Sequence, residues 1–177
     1  MRQLPRDALS ARDFKDPQTL KGRKIQAPSP RPHIDFAPDY AESNAASMMP
    51  EAAALIKICS RWQILGIWSP TKIVQRDPFV LADARTVPDS DLLDLPRDMT
   101  WGPERKLVAT TVKLGRESNH QWHYLSDMTP DELFIFKHFD SKRDLPAWRT
   151  PHTSIELPGT ENLPPRESVE VRACVFF

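Results

Sequence analysis

Apolar residues fall in short runs along this chain, separated by stretches rich in proline and aspartate, a pattern that predicts strands joined by stiff turns. Residues 61–68, 79–82, 106–114, 121–125, 153–157 and 169–177 each read as a strand from their aromatic and β-branched content. Residues 133–136, Leu-Phe-Ile-Phe, carry the same bias. Just before them, Thr129-Pro130-Asp131-Glu132 has capping-box spacing, so a single helical turn competes with a tight turn into a strand; the aromatic run favours the strand. The best helix spans residues 50–58, with Pro50 at its start, Glu51 at the positive end of the dipole and alanines following. Residues 84–105 form a polar connection that is long for a compact domain. Residues 1–32 are charged and proline-rich, ending in Ala27-Pro28-Ser29-Pro30-Arg31-Pro32, and predict an extended or poorly ordered segment before a domain over 33–177. The expected class is mainly β, a sandwich or barrel with one or two short helices.

The 24 basic residues balance 24 acidic ones, so no net field draws the chain to nucleic acid or an anionic membrane. No apolar run approaches the roughly 20 residues of a membrane span, and the N-terminus lacks a secretory signal. Two cysteines, Cys59 and Cys174, do not form a disulfide framework and fit a reducing compartment, with cytoplasm as the default.

Among the polar residues, His33-Ile34-Asp35 stands out. On a strand, residues i and i+2 share a face, so both side chains can reach one ion. A later histidine would complete a set of two histidines and one carboxylate, the arrangement typical of non-haem Fe(II) sites with open positions for other ligands. Alone, the His-x-Asp pair is a weak signal that reads more readily as an ordinary loop. Four other histidines compete for the third place. His152 follows Pro151 and precedes a strand, so it is preferred. His120 and His123 lie beside Trp122 and Tyr124, which suits a core or substrate-facing position better, and His138 follows Lys137 near a strand end, where a surface place is expected.

An arginine can grip a carboxylate through two parallel charge-assisted bonds. Arg166 lies fourteen residues after His152 and is expected to open the strand beside it, with Ser168 on its side and Arg172 as the runner-up on the same face. The plain alternative is a surface Arg166 in a proline-rich turn.

Longer blocks then carry a family resemblance. They are His33-Ile34-Asp35, the run His120-Gln121-Trp122-His123-Tyr124-Leu125-Ser126-Asp127-Met128-Thr129-Pro130-Asp131-Glu132, Phe139-Asp140-Ser141, Pro151-His152-Thr153, and Pro164-Pro165-Arg166-Glu167-Ser168-Val169-Glu170-Val171-Arg172. From about residue 31 onward the chain resembles the fungal secondary-metabolism hydroxylase/desaturase family, the group of gibberellin desaturase, the aspergillic-acid hydroxylase and the cephamycin methoxylation protein. The resemblance implies a double-stranded β-helix (jelly roll) and Fe(II)- and 2-oxoglutarate-dependent oxidation of a small molecule. It implies His33, Asp35 and His152 as metal ligands, Arg166 with Ser168 or Arg172 at the co-substrate, and His120, Trp122 and Tyr124 as substrate-wall residues, for which a plain core role is an equal alternative. Ser69 and Arg76 depart from the family's usual arginine and acidic residue. Only 32 residues precede His33, fewer than in the family, so a shortened, incomplete barrel that self-associates is expected, and a non-catalytic remnant or partner protein is the competing function. A metal-dependent hydrolase or isomerase is disfavoured by the lone carboxylate and Arg166.

Overall fold

The computed structural model describes residues 2–3, 19–20, 23–24, 28–97, 107–113, 115 and 119–177. Its elements in chain order are β1 (Arg2–Gln3), β2 (Thr19–Leu20), β3 (Arg23–Lys24), β4 (His33–Ile34), α1 (Ala41–Met48), α2 (Ala52–Ile58), β5 (Trp62–Pro70), β6 (Phe79–Ala82), β7 (Leu92–Arg97), β8 (Leu107–Val112), β9 (Trp122–Tyr124), β10 (Phe134–Asp140), β11 (His152–Ser154) and β12 (Ser168–Phe176). A seven-stranded sheet runs β1-β9-β6-β11-β4-β8-β7, a three-stranded sheet runs β10-β5-β12, and β2 pairs with β3. All these pairings are antiparallel. The two larger sheets face each other as a jelly roll, with side chains of their inner faces packed together.

Register decides which residues look inward, because directly opposed residues of neighbouring strands share a face. His123, Leu81, His152, His33 and Thr111 form one such row across β9, β6, β11, β4 and β8. Leu81 and Phe79 on that face pack against Trp68 and Phe136 of the three-stranded sheet, so the row faces the interior. The opposite face carries Ile34, Val80, Ala82, Trp122 and Tyr124, gathered in a separate apolar cluster. A third cluster closes one end of the interior. There α1 contributes Ala41 and Ala45, four apart on one helix face, and α2 contributes Ala52, against Phe36, Trp62, Ile64, Phe139 and Trp148. Small residues let the short helices approach closely.

Several elements differ from the sequence reading. The helix expected from Pro50 begins at Ala52, and a second helix, α1, precedes it. The long connection over residues 84–105 holds two 3-10 turns and strand β7, while its residues 98–105 lie outside the described ones. Most of the segment 1–27 also lies outside them. Thr129 does receive capping-type bonds, its N–H and hydroxyl donating to Glu132 Oε2 at 2.8 and 3.1 Å, yet the chain runs on into β10 rather than a helix. Arg166 does not open the strand beside His152: β12 pairs with β5 in the opposing sheet. Among the described residues, no helix is long and apolar enough to cross a membrane.

Candidate metal centre

β4 and β11 lie side by side with His33 directly opposite His152, their ring centroids 4.5 Å apart. The Nδ1 of His33 is 2.7 Å from the Arg31 carbonyl oxygen, and the Nδ1 of His152 is 3.2 Å from that of Thr150. A carbonyl only accepts, so each Nδ1 carries the proton and each Nε2 keeps a free lone pair. Both lone-pair nitrogens turn to one carboxylate oxygen. His33 Nε2 lies 3.3 Å from Asp35 Oδ1 and His152 Nε2 lies 3.9 Å from it. Ligands on adjacent positions of one ion stand roughly 3 Å apart when each bond is about 2.1 Å, so this spacing accepts an ion. One ligating atom from each of the three residues lies within 4.8 Å of the others. Asp35 sits just past the end of β4, so its placement comes from the turn after the strand rather than from strict alternation along it.

Electrostatics favours an ionised carboxylate beside neutral imidazole. Burial alone would raise the Asp35 carboxyl, but the close approach of His33 and the neighbouring His138 and His152 rings hold it well below the ordinary carboxylate range. Burial, aided by the neighbouring His33, pushes His152 well below the usual imidazole value. Both groups stand in the protonation state that a metal requires.

Arg166, in the segment just before β12, reaches the same interior from the opposite side. Its Nη1 donates to the Asp77 carbonyl at 2.9 Å and contacts Ser154 Oγ at 3.4 Å, and its guanidinium lies 5.2 Å above the Trp68 ring. Ser154 is two residues past His152, hence on the same side of β11, about 7 Å along the strand. Asp77 holds a positive φ of 54°, a conformation aspartate tolerates, in the turn that presents this carbonyl. Arg166 Nε is buried without a partner, so the guanidinium keeps a donor for an anionic guest. Burial lowers its pKa to about 10, which leaves it charged at neutral pH.

Arg172 takes a different place. It donates to Asp35 Oδ2, reaches Glu170 Oε1 at 3.3 Å and lies over the Phe36 ring. Ser168 is exposed at the start of β12, opposite Pro70. His120 is buried with Nε2 3.0 Å from Asp91 Oδ2. Trp122 and Tyr124 lie in the cluster behind the seven-stranded sheet; on β9 it is His123 that shares the face of His152.

His138, expected at the surface, is 1% exposed. Its Nε2 is 3.0 Å from Glu170 Oε1 and 3.9 Å from Asp35 Oδ2. Two positions after inward Phe136, its alternation already pointed inside, and a register shift between Lys137 and Phe139 lets both His138 and Phe139 turn in. Gly66, opposite Phe136, leaves the room: a Cβ there would stand 2.6 Å from Phe136 Cζ and 2.8 Å from His138 Nε2. Ser154 was left out by sequence reasoning, and Glu170, between Ser168 and Arg172 on one face of β12, was weighed only as a solvated partner of Arg172.

Known proteins resemble this chain in sequence and fold. A family model described as an oxidoreductase/YMDC permease-like domain matches residues 6–176. The hydroxylase/desaturase efuI of Hormonema carpetanum is 37% identical over 158 residues, 85% of this chain and 52% of that protein. The alpha-ketoglutarate-dependent dioxygenase phiK of a fungal species is 38% identical over 161 residues, 89% of this chain and 57% of that protein. A solved structure of the iron and alpha-ketoglutarate-dependent endoperoxidase NvfI superposes with a TM-score of 0.75 at 27% identity, covering 89% of this chain and 57% of its own. The fold and the fungal hydroxylase/desaturase kinship expected from the sequence blocks are thereby established, and the chain spans about half the length of the relatives it matches.

Proposed function

We propose that this chain, which belongs to the oxidoreductase/YMDC permease-like domain family, carries the Fe(II)- and 2-oxoglutarate-binding centre of a hydroxylase or desaturase acting on a small secondary metabolite. One observation carries the reading: His33 and His152 each spend Nδ1 on a backbone carbonyl and turn Nε2 to the same oxygen of Asp35. Bound there with its keto-acid co-substrate, ferrous iron would supply the oxidising chemistry for a C–H bond. The protein's own part is to hold and shield. His33, Asp35 and His152 hold the ion on one side, leaving the other open. Arg166 takes the far carboxylate of 2-oxoglutarate, for which its buried Nε and its planar fork are suited. Phe79, Phe136 and Trp68 wall the space between the two anchors and keep water from it. Trp122 and Tyr124 support the sheet from behind, and His123 is the better substrate-side residue of β9.

The free thiols Cys59 and Cys174 support a reducing compartment such as the cytoplasm. Ile135 and Val171, exposed on the outer face either side of Ile67, support self-association through the three-stranded sheet.

An assay of succinate formation tests the function. Succinate that requires both Fe(II) and 2-oxoglutarate, and rises with an added substrate, is the expected result. Iron and 2-oxoglutarate binding without succinate would point instead to a non-catalytic partner protein.

A further inference from the structure

Asp35 divides its two oxygens. Oδ1 faces His33 and His152, while Oδ2 faces away from them, toward β10 and β12. On that second side stands another set of metal-binding atoms: Asp35 Oδ2, His138 Nε2 and Glu170 Oε1. His138 Nε2 lies 3.0 Å from Glu170 and 3.9 Å from Asp35, separations that neighbouring ligands of one ion could adopt with small shifts. The His138 side chain is fully buried and its Nδ1 has no partner, so its polar capacity is only half spent. A cation is already seated there. The Arg172 guanidinium donates to Asp35 Oδ2 and stands 3.3 Å from Glu170.

We infer that Arg172 fills a second divalent-cation position that shares Asp35 with the His33–Asp35–His152 centre, and so restricts the centre to one ion. The inference rests on the ligand assignment proposed above. Two half-buried carboxylates close together favour a positive charge between them, and a carboxylate with each oxygen facing a separate cation site is a natural bridge. The guanidinium supplies that charge while denying the position to a metal. It also occupies Oδ2, so Asp35 offers the first ion a single oxygen and other coordination positions stay open. Arg172 is therefore a positioning residue that acts through Asp35. Its side chain is 40% exposed, so shortening it does not hollow the core.

Titrating Mn(II) into the metal-free protein, with free Mn(II) counted by electron paramagnetic resonance, gives the stoichiometry directly. The wild type should bind one Mn(II) per chain with a single-ion spectrum. Arg172→Met and Arg172→Gln should bind two, with an exchange-coupled spectrum from ions sharing Asp35. Arg172→Lys keeps the charge and should stay at one, and Arg172→Met combined with Glu170→Gln should return to one. Folding of each variant is checked by circular dichroism; the Met and Gln forms are independent routes to the same result. If both folded forms bind one Mn(II) with the wild-type spectrum, the inference is overturned while the ligand assignment stands. If the wild type binds none, or His152→Ala binds as well as wild type, the assignment itself fails and the inference with it.

Discussion

His33 and His152 sit directly opposite each other on adjacent antiparallel strands, each anchored through Nδ1 to the carbonyl two residues before it. The equivalence is a consequence of register: each imidazole is aimed by its own strand, and one pairing brings both to Asp35. His152→Ala removes a ligand without touching the orientation of its partner. Calorimetric titration should show metal affinity falling by at least about 100-fold, beyond the 10–100-fold typical of losing an outer-shell partner. Undiminished affinity would remove His152 from the site.

The two arginines of the C-terminal segment should separate cleanly. Arg166→Ala is expected to weaken 2-oxoglutarate binding by about 2–3 kcal/mol, the worth of charge-assisted bonds to a carboxylate, and to leave metal binding within a few-fold of wild type. Arg166→Lys should recover little, because a point charge cannot reproduce the planar fork. Competition binding with 2-oxoglutarate at saturating metal reads both effects.

Asp140 is fully buried and takes hydrogen bonds from Arg61, Gln63, Lys137 and the Lys142 amide. Asp140→Asn should cost about 2 kcal/mol, since it removes charge-assisted bonds while the partly exposed Arg61 and Lys137 turn to water. Urea unfolding measures it, and an unchanged midpoint would mean the network contributes nothing.

Gly66→Ala drives a methyl group into the Phe136 and His138 rings. Overpacking of this kind costs about 1–3 kcal/mol, so a lower thermal midpoint together with weaker metal binding is expected. A lower midpoint with metal binding untouched would show that the rings move without disturbing Asp35.

Acid should destabilise the metal-free protein in two stages. His152 is held below its unfolded value, so as pH falls below about 6.5 the unfolded chain takes a proton that the folded ring refuses, and stability drops. Asp35 and Asp140 are also held low. Their contribution is complete above the unfolded carboxylate range near 4 and is lost as pH falls toward their folded values. Urea midpoints taken from pH 7.5 down to pH 3 should decline in that order; a flat profile between pH 7 and 5 would contradict the burial of a neutral His152.

The strands were legible because their apolar runs are short and bounded by proline, and β6 was read at its observed bounds. His33, Asp35 and His152, which the structure brings together, were singled out by residue type and order. What a linear pattern could not carry was which sheet each strand joins. Arg166 was expected beside β11, yet it reaches Ser154 from the opposing sheet across the interior. Arg172 shared the inward face as expected, but distance along β12 took it to Asp35 instead of to Ser154. Trp122 and Tyr124 were near the site in sequence blocks and behind the sheet in space, because alternation on β9 gives the inner face to His123. His138 was misjudged by its charged neighbour, Lys137, when its distance from Phe136 was the better guide.

In the function proposed above, one ion bound by His33, Asp35 and His152 receives 2-oxoglutarate held at its far end by Arg166. Anaerobic addition of Fe(II) and 2-oxoglutarate, followed by visible absorption, tests it most directly, because a keto acid chelated to ferrous iron absorbs where neither component does alone. The band should appear only when both are present, vanish in His152→Ala, and require markedly higher 2-oxoglutarate in Arg166→Ala. No band in the wild-type protein, or an equal band in His152→Ala, would contradict the account.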